Sequence, residues 1–152
     1  MRVFLLSLTG LLVFNSVSAQ KTTAEDSVKA VITTLFTAME NADEKLLLSI
    51  MADSAILQTI RSGPGDVNTI HTESVVGFAR SIGKAQKKDL RELIQFEKLG
   101  VDGPLAIAWT PYEFYYKGKF SHCGYNSFQL VRSRGVWKIQ YIIDTRSKGE
   151  CL

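Results

Sequence analysis

Between Thr22 and Met39 the apolar residues fall at Val28, Val31, Ile32, Leu35, Phe36 and Met39. This three-and-four spacing draws one stripe down a helix. Thr22 and Glu25 stand at the spacing of a capping box, and Asp26 also lies in the first turn, where the helix dipole favours carboxylates. Asn41-Ala42-Asp43 interrupts the stripe, and Asp43 is placed to cap a short second helix that turns Leu47, Ile50 and Met51 inward. Ala55–Arg61 has strand character and runs into the turn-forming Ser62-Gly63-Pro64-Gly65-Asp66. A third helix is expected from Ser74 to about Ala85, with Val75, Phe78, Ala79 and Ile82 on one face.

The period then shifts from helix to strand. Leu90–Val101, Leu105–Tyr116, Phe120–Arg132 and Val136–Thr145 read as four strands. Asp102-Gly103, Lys117-Gly118-Lys119 and Ser133-Arg134-Gly135 supply the turns of an antiparallel meander. The order helix, helix, strand, helix, four strands predicts an α+β domain. Three helices pack on one face of a curved antiparallel sheet and bury both sets of apolar residues.

The first nineteen residues precede this pattern. Arg2 is a charged start, Val3–Val13 is mostly apolar, and Val17-Ser18-Ala19 offers small residues before Gln20, so residues 1–19 read as a cleavable secretory signal. A membrane anchor is the alternative reading, but Ser7, Thr9, Gly10, Asn15 and Ser16 break the run. Residues 20–152 then form a single domain in the periplasm or outside the cell, with no membrane contact after cleavage. The net charge of +3 provides no broad field for nucleic acid. In an oxidising compartment Cys123 and Cys151 are either a disulfide or two unpaired thiols.

The element order, together with Trp137-Lys138-Ile139 in the last strand, resembles the nuclear transport factor 2-like superfamily. This is the fold of ketosteroid isomerase, scytalone dehydratase and the SnoaL-like cyclases. Asn41-Ala42-Asp43 through Ala52-Asp53-Ser54-Ala55 looks like the family's second helix and following strand. Trp109-Thr110-Pro111-Tyr112-Glu113-Phe114, His122-Cys123-Gly124 and Asp144-Thr145-Arg146 look like a subgroup of exported bacterial members. The resemblance implies a cone-shaped, cystatin-like roll with an internal pocket and a homodimer formed through the sheet. It does not carry the isomerase mechanism across. The position of that enzyme's general-base Asp is matched by Thr59, and the position of its first-helix Tyr by Leu35 or Phe36.

Strand parity gives candidate chemistry. Phe120, His122, Gly124, Asn126, Phe128 and Leu130 share a face unless Gly124 marks a bulge, which aims His122 into the core. An inward His serves proton transfer, or is a core residue satisfied by one partner. Cys123 points the other way, so no Cys–His nucleophile forms with His122. His71 sits in or beside a loop. Trp109, Tyr112, Phe114, Tyr116, Phe128, Trp137 and Tyr141 would line the pocket with His122, and Pro111 would shift Tyr112 and Phe114 onto the face of Trp109. Asp144 is a second catalytic candidate. It shares a face with Arg146, but by parity it does not meet His122. No metal-ligand spacing and no cofactor motif is visible.

These residues leave three readings open. The first is a module that binds a small apolar or aromatic molecule. The second is a dehydratase-, isomerase- or cyclase-type enzyme using His122. The third is a structural or interaction domain with a filled interior.

Overall fold

A computed structural model describes residues 23–149 and 151, so the expectation of a secretory signal in residues 1–19 falls outside the described residues. The helices are α1 (Ala24–Glu40), α2 (Glu44–Ile50) and α3 (Val75–Gly83). The strands are β1 (Met51–Ser62), β2 (Asn68–Glu73), β3 (Leu90–Ile94), β4 (Lys98–Asp102), β5 (Leu105–Tyr116), β6 (Lys119–Ser133) and β7 (Val136–Thr145). They form one sheet in the order β2-β1-β7-β6-β5-β3, with β4 also on β5.

The helix stripe is the buried face of α1: Val28, Ile32, Leu35, Phe36 and Met39 are all in the core. The box that opens α1 is one residue later than expected. Thr23 accepts from the Asp26 N–H at 3.0 Å, and Asp26 accepts from the Thr23 N–H at 3.2 Å. Hydrogen bonding from Thr23 also holds the Asp26 carboxyl below its ordinary pKa. Thr23→Ala removes the cap, and a loss of about 1 kcal/mol in chemical denaturation is the expected result. Asp43 caps α2 through the Leu46 N–H at 2.9 Å, and Ser74 caps α3 through the Gly77 N–H at 3.0 Å.

Three features depart from the meander. β1 pairs with β7 in parallel, so the sheet is mixed. Asn68–Glu73 is a strand, β2, on the open edge of β1, and all of it is exposed, His71 included. It carries no buried face that alternation could reveal. The expected strand Leu90–Val101 is two strands, with β4 opposite the first half of β5 and β3 opposite the second. The break faces Pro111, whose carbonyl accepts from the Gln95 N–H at 3.2 Å but which has no N–H to return.

Two β-bulges set which side chains face inward. One lies in β6 at Ser121, where Phe114↔His122 is followed by Tyr115↔Phe120. The other lies in β7 at Gln140, where Gln129↔Tyr141 is followed by Leu130↔Ile139. An extra residue reverses the alternation beyond it. Phe120 therefore leaves the face of His122, and Gly124 stays in regular register. In β7, Trp137 and Ile139 face the core on one side of the bulge, and Ile142 and Asp144 face it on the other. The core sits between the helices and this face, with Phe36 edge-on to Phe128 at 6.3 Å.

Candidate active site

The sheet and helices leave a cavity of about 500 Å³. Leu35, Phe36 and Met39 of α1, Phe78 and Ile82 of α3, and Leu90 of β3 give it an apolar end. The sheet wall brings a compact polar set: Glu92, Tyr112, His122, Asn126, Asp144 and Arg146. Cross-strand register assembles that set from distant segments. Thr59 is opposite Asp144, and Asp144 is opposite Asn126. Glu92 is opposite Phe114, and Phe114 is opposite His122.

Asp144 is the hub of the buried network. Its carboxylate accepts from Thr59 Oγ1 at 2.6 Å, from Tyr112 OH at 3.1 Å and from Arg146 Nε at 2.8 Å. The single Tyr112 proton is shared with the Thr145 carbonyl, at 2.8 Å, and Arg146 Nη2 donates to Thr59 Oγ1 at 3.1 Å. Burial, then the charges of Asp144 and Glu92, push the Tyr112 pKa well above the usual phenol range, so it remains a neutral donor.

Glu92 is held differently. Its Oε1 accepts from Asn126 Nδ2 at 2.8 Å. Burial raises its pKa to about 7 despite that bond, with Asp144 adding to the rise and Arg146 opposing it. His122 packs edge-on to Tyr112 at 5.7 Å and tilted against Phe114 at 5.0 Å, and its Nδ1 lies 3.1 Å from Ser121 Oγ. Burial, then Arg146, lowers its pKa, with Asp144 opposing. The site thus holds a carboxyl poised near neutrality, a neutral-leaning imidazole and a guanidinium–carboxylate pair, at one end of an apolar chamber.

No family model and no curated protein matches the sequence. Solved structures match in shape. A cystatin-like protein of unknown function from Nostoc punctiforme has a TM-score of 0.64 at 10% identity, over 86% of this chain and 97% of that one. A nuclear transport factor 2-like protein of unknown function from Shewanella baltica has a TM-score of 0.61 at 10% identity, over 81% and 93%. A candidate dehydratase of the nuclear transport factor 2-like family from Streptomyces avermitilis has a TM-score of 0.59 at 14% identity, over 82% and 96%. This chain has the nuclear transport factor 2-like fold.

Within this nuclear transport factor 2-like fold, Tyr112, Phe114, Tyr116, His122, Phe128 and Asp144 line the cavity. Three expected lining residues do not. Trp109 lies on the outer face, 38% exposed and stacked on Tyr125 at 5.1 Å, because β5 keeps its alternation through Pro111. Trp137 is packed in the core, with the Arg132 guanidinium 5.4 Å from its ring centre. Tyr141 is turned away by the Gln140 bulge and donates to Gln58 Oε1 at 2.6 Å. The same bulge brings Asp144 inward, so His122 and Asp144 share one wall after all.

Glu92 is the residue the sequence reading missed. A signal for it existed: Glu92 alternates in phase with Leu90 and Ile94, the more buried residues of β3, and so is a carboxylate on the inward face. Thr59 is a hydrogen-bond partner of Asp144. Cys123 and Cys151 are joined as a disulfide with their Cα atoms 5.9 Å apart.

Proposed function

We propose that this cavity binds a small, largely apolar or aromatic molecule and exchanges a proton with it, with Glu92 as the acid–base group. The observation that carries the reading is the unequal treatment of two carboxyl groups facing one apolar chamber. Asp144 is paired with Arg146 and receives two hydroxyl donors as well, whereas Glu92 accepts from one neutral amide. Environments that split two carboxyls in this way divide acid–base work between them. A carboxyl with a pKa of about 7 both takes and gives a proton at neutral pH.

The step has the form of a dehydratase, isomerase or cyclase reaction. Glu92 takes a proton from a carbon next to a carbonyl, and the charge that develops on the oxygen is faced by Arg146 and the His122 ring. Asp144 holds Arg146 on that wall. His122 also lines this space.

The test uses a panel of alicyclic and aromatic ketones and their β-hydroxy derivatives in D₂O, followed by NMR for deuterium uptake and loss of water. At least one probe should turn over, and Glu92→Gln should slow it by about 10²–10⁴-fold. An unchanged rate in that variant rejects Glu92 as the acid–base group. Probes that raise the melting temperature without reacting support the second reading, a binding module. The apolar end of the cavity, walled by Phe36 and Phe78, favours that reading equally.

The setting we propose for this activity is the periplasm or the exterior, reached through the signal in residues 1–19. A disulfide in so small a domain suits that compartment. We also propose that the chain works as a homodimer through the sheet, whose outer face exposes Leu105, Ile107 and Trp109.

A further inference from the structure

The C-terminal tail brings one side chain into the cavity and is fastened from behind. Arg146 is the first residue after β7, and it reaches back to Asp144 and Thr59. The β6–β7 ladder itself ends at Asn126↔Asp144, so strand pairing alone does not hold Arg146. Beyond it, Ser147 exchanges two backbone hydrogen bonds with Cys123, at 3.0 and 2.8 Å, and Cys151 is disulfide-bonded to Cys123. Just before these anchors the chain passes Gly124 of β6 so closely that any Cβ there would collide with the Thr145 carbonyl oxygen. The Tyr125 N–H donates to Thr145 Oγ1 at 3.1 Å from the same side.

Chain ends fray unless they are tied, and a freed Arg regains its rotamer entropy. The Arg146 side chain is 52% exposed, so water competes for it whenever its backbone moves. We infer that the Cys123–Cys151 disulfide is a positioning device that holds the Arg146 guanidinium against Asp144 and Thr59, so that the charge facing Glu92 and His122 depends on the redox state of the tail. This rests on the reading of Glu92 as the acid–base group. Reduction by a dithiol such as dithiothreitol delivers two electrons and two protons, breaks the S–S bond into two thiols and leaves the dithiol oxidised.

The charges involved are few. His122 faces Asp144, Arg146 and Lys148, and Glu92 faces Asp144 and Arg146. Tyr112 faces Asp144, Glu92 and Arg146, and Glu73 of β2 and Lys84 after α3 also line the cavity. Arg146 lowers the proton affinity of both His122 and Glu92, so its release raises both.

The experiment follows the two groups by NMR titration of the full chain: oxidised, reduced with dithiothreitol, and as Cys151→Ser, Arg146→Ala and the double variant. Circular dichroism checks the fold in each. Reduction and Cys151→Ser should each move both midpoints upward, and Arg146→Ala should reproduce the shift. Adding Cys151→Ser to Arg146→Ala should then leave the Glu92 midpoint unmoved, while that of His122 still rises by the smaller contribution of Lys148 on the same tail. Unmoved midpoints in Cys151→Ser and in the reduced protein overturn the inference. So does an equal further shift of the Glu92 midpoint in the Arg146→Ala background, since the disulfide would then act without the guanidinium. A Glu92 midpoint in the ordinary carboxylate range in the oxidised protein would instead reject the proposed function, and the His122 comparison would still test the strap.

Discussion

Glu92→Gln should stabilise the protein at pH 8 and leave it nearly unchanged at pH 4.5. In the folded chain burial raises the Glu92 pKa from 4.5 to about 7. A carboxyl whose folded pKa is raised stabilises the fold fully below its unfolded pKa, and that contribution is lost as pH climbs through the folded value. The window is therefore pH 4.5 to about 7, and the gap corresponds to about 3 kcal/mol at most. Gln stays neutral throughout and keeps an oxygen for the Asn126 amide. Thermal melts of both proteins at pH 4.5 and 8 give the measurement, and a difference of roughly 10 °C at the higher pH is expected. A difference independent of pH would mean that Glu92 is not buried in its neutral form.

Asp144→Ala should cost about 2–3 kcal/mol, chiefly through lost hydrogen bonds to a charged acceptor. The loss stays below that of a fully buried ion pair because its partners have alternatives. Arg146 is half exposed, so its Nε bonds water in place of the carboxylate while Nη2 still donates to Thr59, and Tyr112 still donates to the Thr145 carbonyl. The substitution also acts on Glu92. Removing the Asp144 charge and unpairing Arg146 both favour the ionised carboxyl, so the Glu92 midpoint should fall. Urea denaturation measures the first effect, and NMR titration the second. A destabilised variant with an unmoved Glu92 would separate the network from the acid–base group.

Legibility differed from residue to residue. β5 and β7 run from Leu105 to Tyr116 and from Val136 to Thr145, the ranges read from alternation and turn residues. The turn at Lys117-Gly118 has positive φ at both residues, as does that at Arg134-Gly135, the conformation a tight hairpin demands. His122 faces inward as its parity required. Asp144 was legible as a candidate but not as a neighbour of His122, because the Gln140 bulge that turns it inward leaves no mark in the local pattern. Tyr141 and Trp109 were assigned to the pocket from aromatic content, and content does not say which face a ring occupies. Glu92 was passed over because a charge on a half-polar strand looks solvated until the neighbouring elements are in place.

Local chemistry by itself determined the three helices, the cap at Asp43 and the hairpin turns, since these depend on residues within a few positions of one another, and the order of those elements gave the fold class. Only the tertiary structure decided the parallel β1–β7 pairing, the two bulges, the disulfide and the meeting of Thr59, Tyr112, Glu92, Asn126, Asp144 and Arg146. Those contacts join residues far apart in the chain, and their burial sets the proton affinities. A carboxyl becomes an acid–base group through the walls around it, and the walls exist only once the sheet has closed over the helices.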